Sequence, residues 1–161
     1  MKKSRIKHLA AASMIAALYA VLTLLSAVFG LAVGPFEFRL SEALCALPLL
    51  TPAAVPGLFC GCLAANLICG AALPDVIFGS VATLIGAVGT YVFRKKPLWA
   101  LLCPVIANTM IIPPILYFVY GFGKEGFLIL AGAFFVGEAV SAMGLGALLY
   151  RTLLPFQKHF E

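Results

Sequence analysis

Charge is what this sequence has least of. Aspartate and glutamate total six in 161 residues, and charged residues of both signs reach only 11%. A water-soluble domain needs a charged shell, so a soluble fold is excluded. Histidine is confined to the ends, at His8 and His159. With none inside, nucleophile–base pairs and most metal sites lose their usual component. The phosphate-cradling Gly-x-x-x-x-Gly-Lys, the Gly-x-Ser-x-Gly elbow and His-Glu-x-x-His are all missing. Neither an enzyme nor a cofactor or metal is expected. The cysteines (Cys45, Cys60, Cys62, Cys69, Cys103) all lie in apolar segments. Cys60 and Cys62, two apart, point to nearly opposite faces of a helix, so the group reads as small buried hydrophobes. A basic face is missing too. The net charge of +5 comes from clusters at segment ends: Lys2, Lys3, Arg5 and Lys7, then Arg94, Lys95 and Lys96, then Arg151 and Lys158. That pattern is topogenic and is no nucleic-acid footprint.

What is present is apolar surface. The chain is 63% hydrophobic with a mean hydropathy of +1.10, which a bilayer accommodates and water does not. One integral membrane domain over residues 1–161 is expected, too small for an appended nucleotide-binding domain. The apolar run from Leu9 to Val33 exceeds the 7–15 residues or so of a signal-peptide core and reads as a retained helix. Six spans are predicted, at Leu9–Val33, Arg39–Leu50, Val55–Leu73, Val76–Phe93, Leu98–Tyr120 and Phe127–Tyr150. The second is short, closed by Pro48 and Pro52. An even number of crossings puts all three basic clusters, and both termini, in the cytoplasm. The acidic loops then face outward. No internal repeat is evident, so a lone alternating-access carrier is not expected.

The few polar groups inside this background are the candidate site. Glu138 falls near the middle of the last span, where a carboxylate costs roughly 2.5–3.5 kcal/mol and should face a cavity or a partner. A structural hydrogen bond to another helix is the plainer alternative. Asn66 and Asn108 each offer two donors and an acceptor, enough to read a polar ligand edge, though interhelical glue explains them equally. Glu37, Arg39 and Glu42 open the second span and suggest a lid over an outward cavity, or else a surface ion pair. Asp75 follows Pro74, where an N-cap is the simplest role. Tyr117 and Tyr120 fit an interfacial aromatic belt. Phe36 and Phe38 flank the first outer loop and could stack on a planar ligand. Ala12, Ala16 and Ala20 recur every four residues and let another helix approach closely, within this chain or from a partner.

These residues carry a resemblance over nearly the whole chain. Phe36-Glu37-Phe38-Arg39-Leu40-Ser41-Glu42-Ala43-Leu44, Leu47-Pro48, Thr51-Pro52-Ala53-Ala54-Val55-Pro56-Gly57-Leu58-Phe59, Ala65-Asn66-Leu67, Asp75-Val76-Ile77-Phe78-Gly79-Ser80, Ala107-Asn108 and Val136-Gly137-Glu138 resemble the queuosine-precursor (QueT-type) transporters. That family is understood as substrate-binding S-components of energy-coupling factor (ECF) transporters. The resemblance implies a six-helix protein of the bacterial plasma membrane that captures a 7-deazaguanine, such as 7-aminomethyl-7-deazaguanine or queuine, from outside. It implies docking through Ala12, Ala16 and Ala20 on a transmembrane coupling subunit driven by two ATPase subunits. The site residues it suggests are Glu138 first and Glu42 second, accepting from the guanine edge. Asp75, Glu37 or Glu42 would neutralise the side-chain amine. Arg39, Asn66 and Asn108 complete the polar set, with Tyr117 or Phe38 stacking on the ring. An S-component for another nutrient, a membrane scaffold without a ligand, and a small dimeric exporter using Glu138 as proton acceptor are the alternatives.

Overall fold

Proline and glycine punctuate the apolar sequence into helices in the computed structural model, which describes residues 2–31, 38–121 and 126–159. Helix α1 (Lys2–Val28) has neither residue inside it and ends at Gly30, whose φ of 68° closes the last turn. A 3-10 helix, Leu40–Leu49, follows with Pro48 inside. Helix α2 (Ala54–Ile68) stops before Gly70, at φ 69°. A π-helical turn, Asp75–Gly79, leads into α3 (Ser80–Val92). Helix α4 (Pro97–Phe118) begins on a proline, where the missing N–H has no partner to lose. Helix α5 (Phe127–Glu138), a π-helical stretch (Ala139–Leu145) and α6 (Gly146–Leu153) follow one another without a break, and a 3-10 turn, Leu154–His159, comes last. No strand occurs among the described residues.

The all-helical architecture expected from the sequence is therefore present. Among the described residues, four stretches are long and apolar enough to cross a membrane: Arg5–Val28, Asp75–Val92, Pro97–Phe118 and Phe127–Phe156. Leu40–Leu49 and Ala54–Ile68 are apolar but shorter. Ten residues of 3-10 helix rise about 20 Å, and fifteen of α-helix about 22 Å. Both fall short of a hydrocarbon layer of about 30 Å. The outer surface suits lipid: Leu128, Val28, Phe118 and Met14 are 74–82% exposed.

The short 3-10 segment is the centre of the molecule. From Ser41 to Leu49 every residue but Ala43 is buried, the apolar ones by packing and Ser41 and Glu42 with hydrogen-bond partners. It packs against all of α1, α2, α3, α4 and α6 and against the second π-helical stretch. Lipid tails are as apolar as leucine, so these helices associate through close packing rather than hydrophobic expulsion. Glycines provide the fit. A Cβ on Gly57 would lie 2.8 Å from the Ala12 carbonyl oxygen, one on Gly61 2.8 Å from that of Ala16, and one on Gly86 2.7 Å from Pro104 Cα. Gly86→Ala must push α3 off α4. It should cost about 1–3 kcal/mol and lower the midpoint of thermal denaturation in detergent. Gly132→Ala, whose Cβ meets nothing within 4 Å, should leave that midpoint unchanged or raise it.

Candidate substrate-binding site

Three segments far apart in sequence place polar side chains at one buried point. Glu42 comes from the first turn of the 3-10 helix, Asn108 from α4 between Pro104 and Pro113, and Glu138 from the last residue of α5. None is more than 4% exposed. Asn108 Nδ2 donates to Glu138 Oε1 at 2.8 Å and to Glu42 Oε2 at 3.4 Å. One amide thus uses its two N–H groups to bridge two carboxyls. The π-helical stretch begins at the residue after Glu138. Such stretches widen the turn and shift the register of side chains, and they recur at functional sites.

Glu42 is held from two further directions. Tyr19 of α1, fully buried, donates its hydroxyl to Glu42 Oε1 at 2.5 Å. The Cys45 thiol donates to Glu42 Oε2 at 3.1 Å. The Tyr19 contact belongs to a ladder. Thr23 Oγ1 lies 2.8 Å from Ser41 Oγ, and Ser26 Oγ accepts from the Leu40 N–H at 2.9 Å. As α1 is followed from Tyr19 through Thr23 to Ser26, the partners run backward through Glu42, Ser41 and Leu40. The 3-10 helix is therefore fixed antiparallel along one polar stripe of α1. An ionised carboxylate only accepts hydrogen bonds, so two buried carboxyls give this point a strong demand for donors or positive charge.

The other residues singled out from the sequence fall in different places. Glu42, expected in an outer lid, in a surface ion pair or as second acceptor for the ligand, has its carboxyl buried at the centre and not at a rim. Glu37 lies outside the described residues. Arg39 is half-buried at the entry to the 3-10 helix, its carbonyl accepting from the Glu42 N–H at 3.1 Å. Asn66 is 5% exposed, but its Nδ2 donates to the Asp75 carbonyl at 3.2 Å and to Cys62 Sγ at 3.6 Å. It ties α2 to the start of α3 and does not join the carboxyl pair. Asp75 is half-buried and adjoins the Tyr120 hydroxyl. Tyr117 packs edge-on against Phe118 and Phe127, with centroids 5.0 and 5.7 Å away. Nine residues of helix separate it from Asn108, a rise of about 13 Å, so it stands above the cluster. Phe38 is half-buried, its N–H donating to the Leu31 carbonyl at 3.0 Å.

Ala12, Ala16 and Ala20 are half-buried. The Ala12 and Ala16 carbonyls face Gly57 and Gly61 of α2. Beside them a groove of about 650 Å³ opens between α1 and the start of α2, bordered by Ala12, Ser13, Ala16, Pro56 and Cys60. No group of three or more histidine, cysteine or acidic residues placed to hold a metal ion occurs among the described residues.

Comparison with curated proteins and with solved structures returned no match. A family model described as QueT transporter matches residues 9–155. The apolar helices agree with that match, and this chain, a multi-pass membrane protein, belongs to the QueT transporter family.

Proposed function

We propose that this protein is the substrate-specific S-component of an ECF-type transporter and captures a 7-deazaguanine queuosine precursor from outside the cell. The observation that carries the reading is the pair of buried carboxyls, Glu42 and Glu138, bridged by Asn108. A guanine edge presents N1–H and an exocyclic amine side by side, which a carboxylate accepts in bidentate fashion. Glu138 takes this edge. The aminomethyl ammonium of 7-aminomethyl-7-deazaguanine is met by Glu42. Without ligand, Asn108 Nδ2 and Tyr19 OH supply the donors these carboxyls require; with ligand, the base supplies them. Asn108 then turns to the ring carbonyl. Arg39 and Asp75 line the outer approach, Asn66 secures the α2–α3 connection beside it, and Tyr117 or Phe38 covers the ring.

Six crossings with both termini in the cytoplasm place the basic clusters on one side. The plasma membrane of a bacterium is the expected location. Docking on the coupling subunit uses α1 around Ala12, Ala16 and Ala20, and the groove between α1 and α2 supports this because it gives a partner helix a recess bordered by small residues. The two ATPase subunits supply the energy that this chain has no motif to supply.

Uptake of labelled 7-aminomethyl-7-deazaguanine by cells producing this protein tests the reading. Accumulation should require co-production of a coupling subunit and its ATPases, and should stop when ATP hydrolysis is blocked. Accumulation by this chain alone, driven by a proton gradient, would instead support an exporter-like carrier. An S-component for another nutrient predicts uptake that deazaguanines fail to compete.

A further inference from the structure

The turn between α3 and α4 carries Arg94, Lys95 and Lys96. In the fold two of these cations belong to a recess. It measures about 290 Å³ and is lined by Val92, Phe93, Lys95, Lys96 and Trp99. Arg94 turns aside, with its guanidinium over the Tyr91 ring at 4.5 Å from the centroid. The two lysines are thus the recess's own charges, set against an aromatic and aliphatic wall. Hydrogen bonds from Lys96 N–H to the Phe93 carbonyl (2.8 Å) and from Phe93 N–H to the Gly89 carbonyl (2.9 Å) fix the turn.

The recess opens onto an apolar track. Val92, Val88, Ile85 and Val81 follow at helical spacing along α3, and they are 65, 44, 52 and 38% exposed. A cationic hollow at the membrane surface that continues into a lipid-facing stripe is complementary to an amphipathic anion.

We propose that the recess binds an anionic phospholipid, with its phosphate between Lys95 and Lys96, its glycerol region against Trp99 and Phe93, and one acyl chain along Val92, Val88 and Ile85. Tryptophan favours the headgroup level, and juxtamembrane lysines are drawn to anionic lipid. A zwitterionic lipid carries its own cation into the same hollow and loses most of this attraction. An acidic protein surface would satisfy the lysines but leave the stripe unused. The proposal is independent of which nutrient the protein carries.

Native mass spectrometry of the full chain in detergent tests it, with phosphatidylglycerol and phosphatidylcholine of identical acyl chains added in equal amounts. Phosphatidylglycerol should be retained about tenfold or more over phosphatidylcholine. The double variant K95Q/K96Q should lose that preference. Because its charges also orient the chain, Trp99→Ala is the companion variant: it keeps both lysines and should still weaken phosphatidylglycerol retention severalfold. Equal retention of the two lipids by the unmodified protein would overturn the proposal. So would an undiminished preference in K95Q/K96Q, or displacement of phosphatidylglycerol by inorganic phosphate alone.

Discussion

Glu138→Gln should abolish measurable binding of 7-aminomethyl-7-deazaguanine while leaving the fold intact. Glutamine has the same shape, and its Oε1 still accepts from Asn108 Nδ2, now at 2.8 Å from Glu138 Oε1. The helix contacts around it are preserved. What is lost is the second acceptor and the charge. The guanine edge then meets an N–H where it needs an oxygen, so one ligand donor is buried unsatisfied and one charge-assisted hydrogen bond disappears. Hydrogen bonds to charged groups contribute about 1.5–3 kcal/mol, and an orphaned buried donor costs about 1–3 kcal/mol. Together these correspond to a loss in affinity on the order of a hundredfold or more. The check is equilibrium binding to the purified variant alongside its thermal denaturation curve. Unchanged affinity with an unchanged curve would remove Glu138 from the site, and a collapsed curve would give it a structural role.

Glu42→Ala is expected to have the opposite emphasis. Three donors converge on that carboxyl: Tyr19 OH, Cys45 Sγ and Asn108 Nδ2. Each sits at a residue no more than 4% exposed, so truncation takes the acceptor from the buried Tyr19 hydroxyl and Cys45 thiol, while Asn108 Nδ2 keeps only its bond to Glu138 Oε1. At about 1–3 kcal/mol for each orphaned polar group, plus a cavity, the expected loss is several kcal/mol. The 3-10 helix is held to α1 through this contact and its neighbours Thr23–Ser41 and Ser26–Leu40. The whole centre should therefore loosen, and the denaturation midpoint in detergent should fall by more than for any single substitution at Glu138. Glu42→Gln, which keeps one acceptor, should fall much less. A midpoint for Glu42→Ala within error of the unmodified protein would show that the buried carboxyl does not hold α1 to the centre.

The parts of this protein that were legible in the sequence are those set by the cost of burying charge. Glu138, Glu42 and Asn108 stand out because a bilayer tolerates few such groups, and they do meet. Asn66 was equally conspicuous but hydrogen-bonds to the Asp75 carbonyl, because an amide in an apolar helix is satisfied by whichever acceptor lies nearest. Glu42 was misplaced into a lid for a geometric reason. The residues after Arg39 were read as the start of a span, with Glu42 at its rim. They instead form a 3-10 helix buried on all sides, which turns the carboxyl inward. The contribution of Tyr19 was overlooked in an aliphatic helix, yet a signal was there: Tyr19, Thr23 and Ser26 are spaced four and three apart, a polar stripe on one face of α1. The small-residue pattern on α1 was seen, but sequence alone could not divide its contacts between α2 and a partner, since both want close backbone approach.

The most direct test of the central claim is equilibrium binding of 7-aminomethyl-7-deazaguanine to the purified protein in detergent, with guanine, queuine and riboflavin as comparisons. The carboxyl pair predicts saturable binding of the aminomethyl compound, weaker binding of guanine, which has no ammonium for Glu42, and none of riboflavin. Folded protein that binds no deazaguanine, or binds guanine and riboflavin equally well, would contradict it.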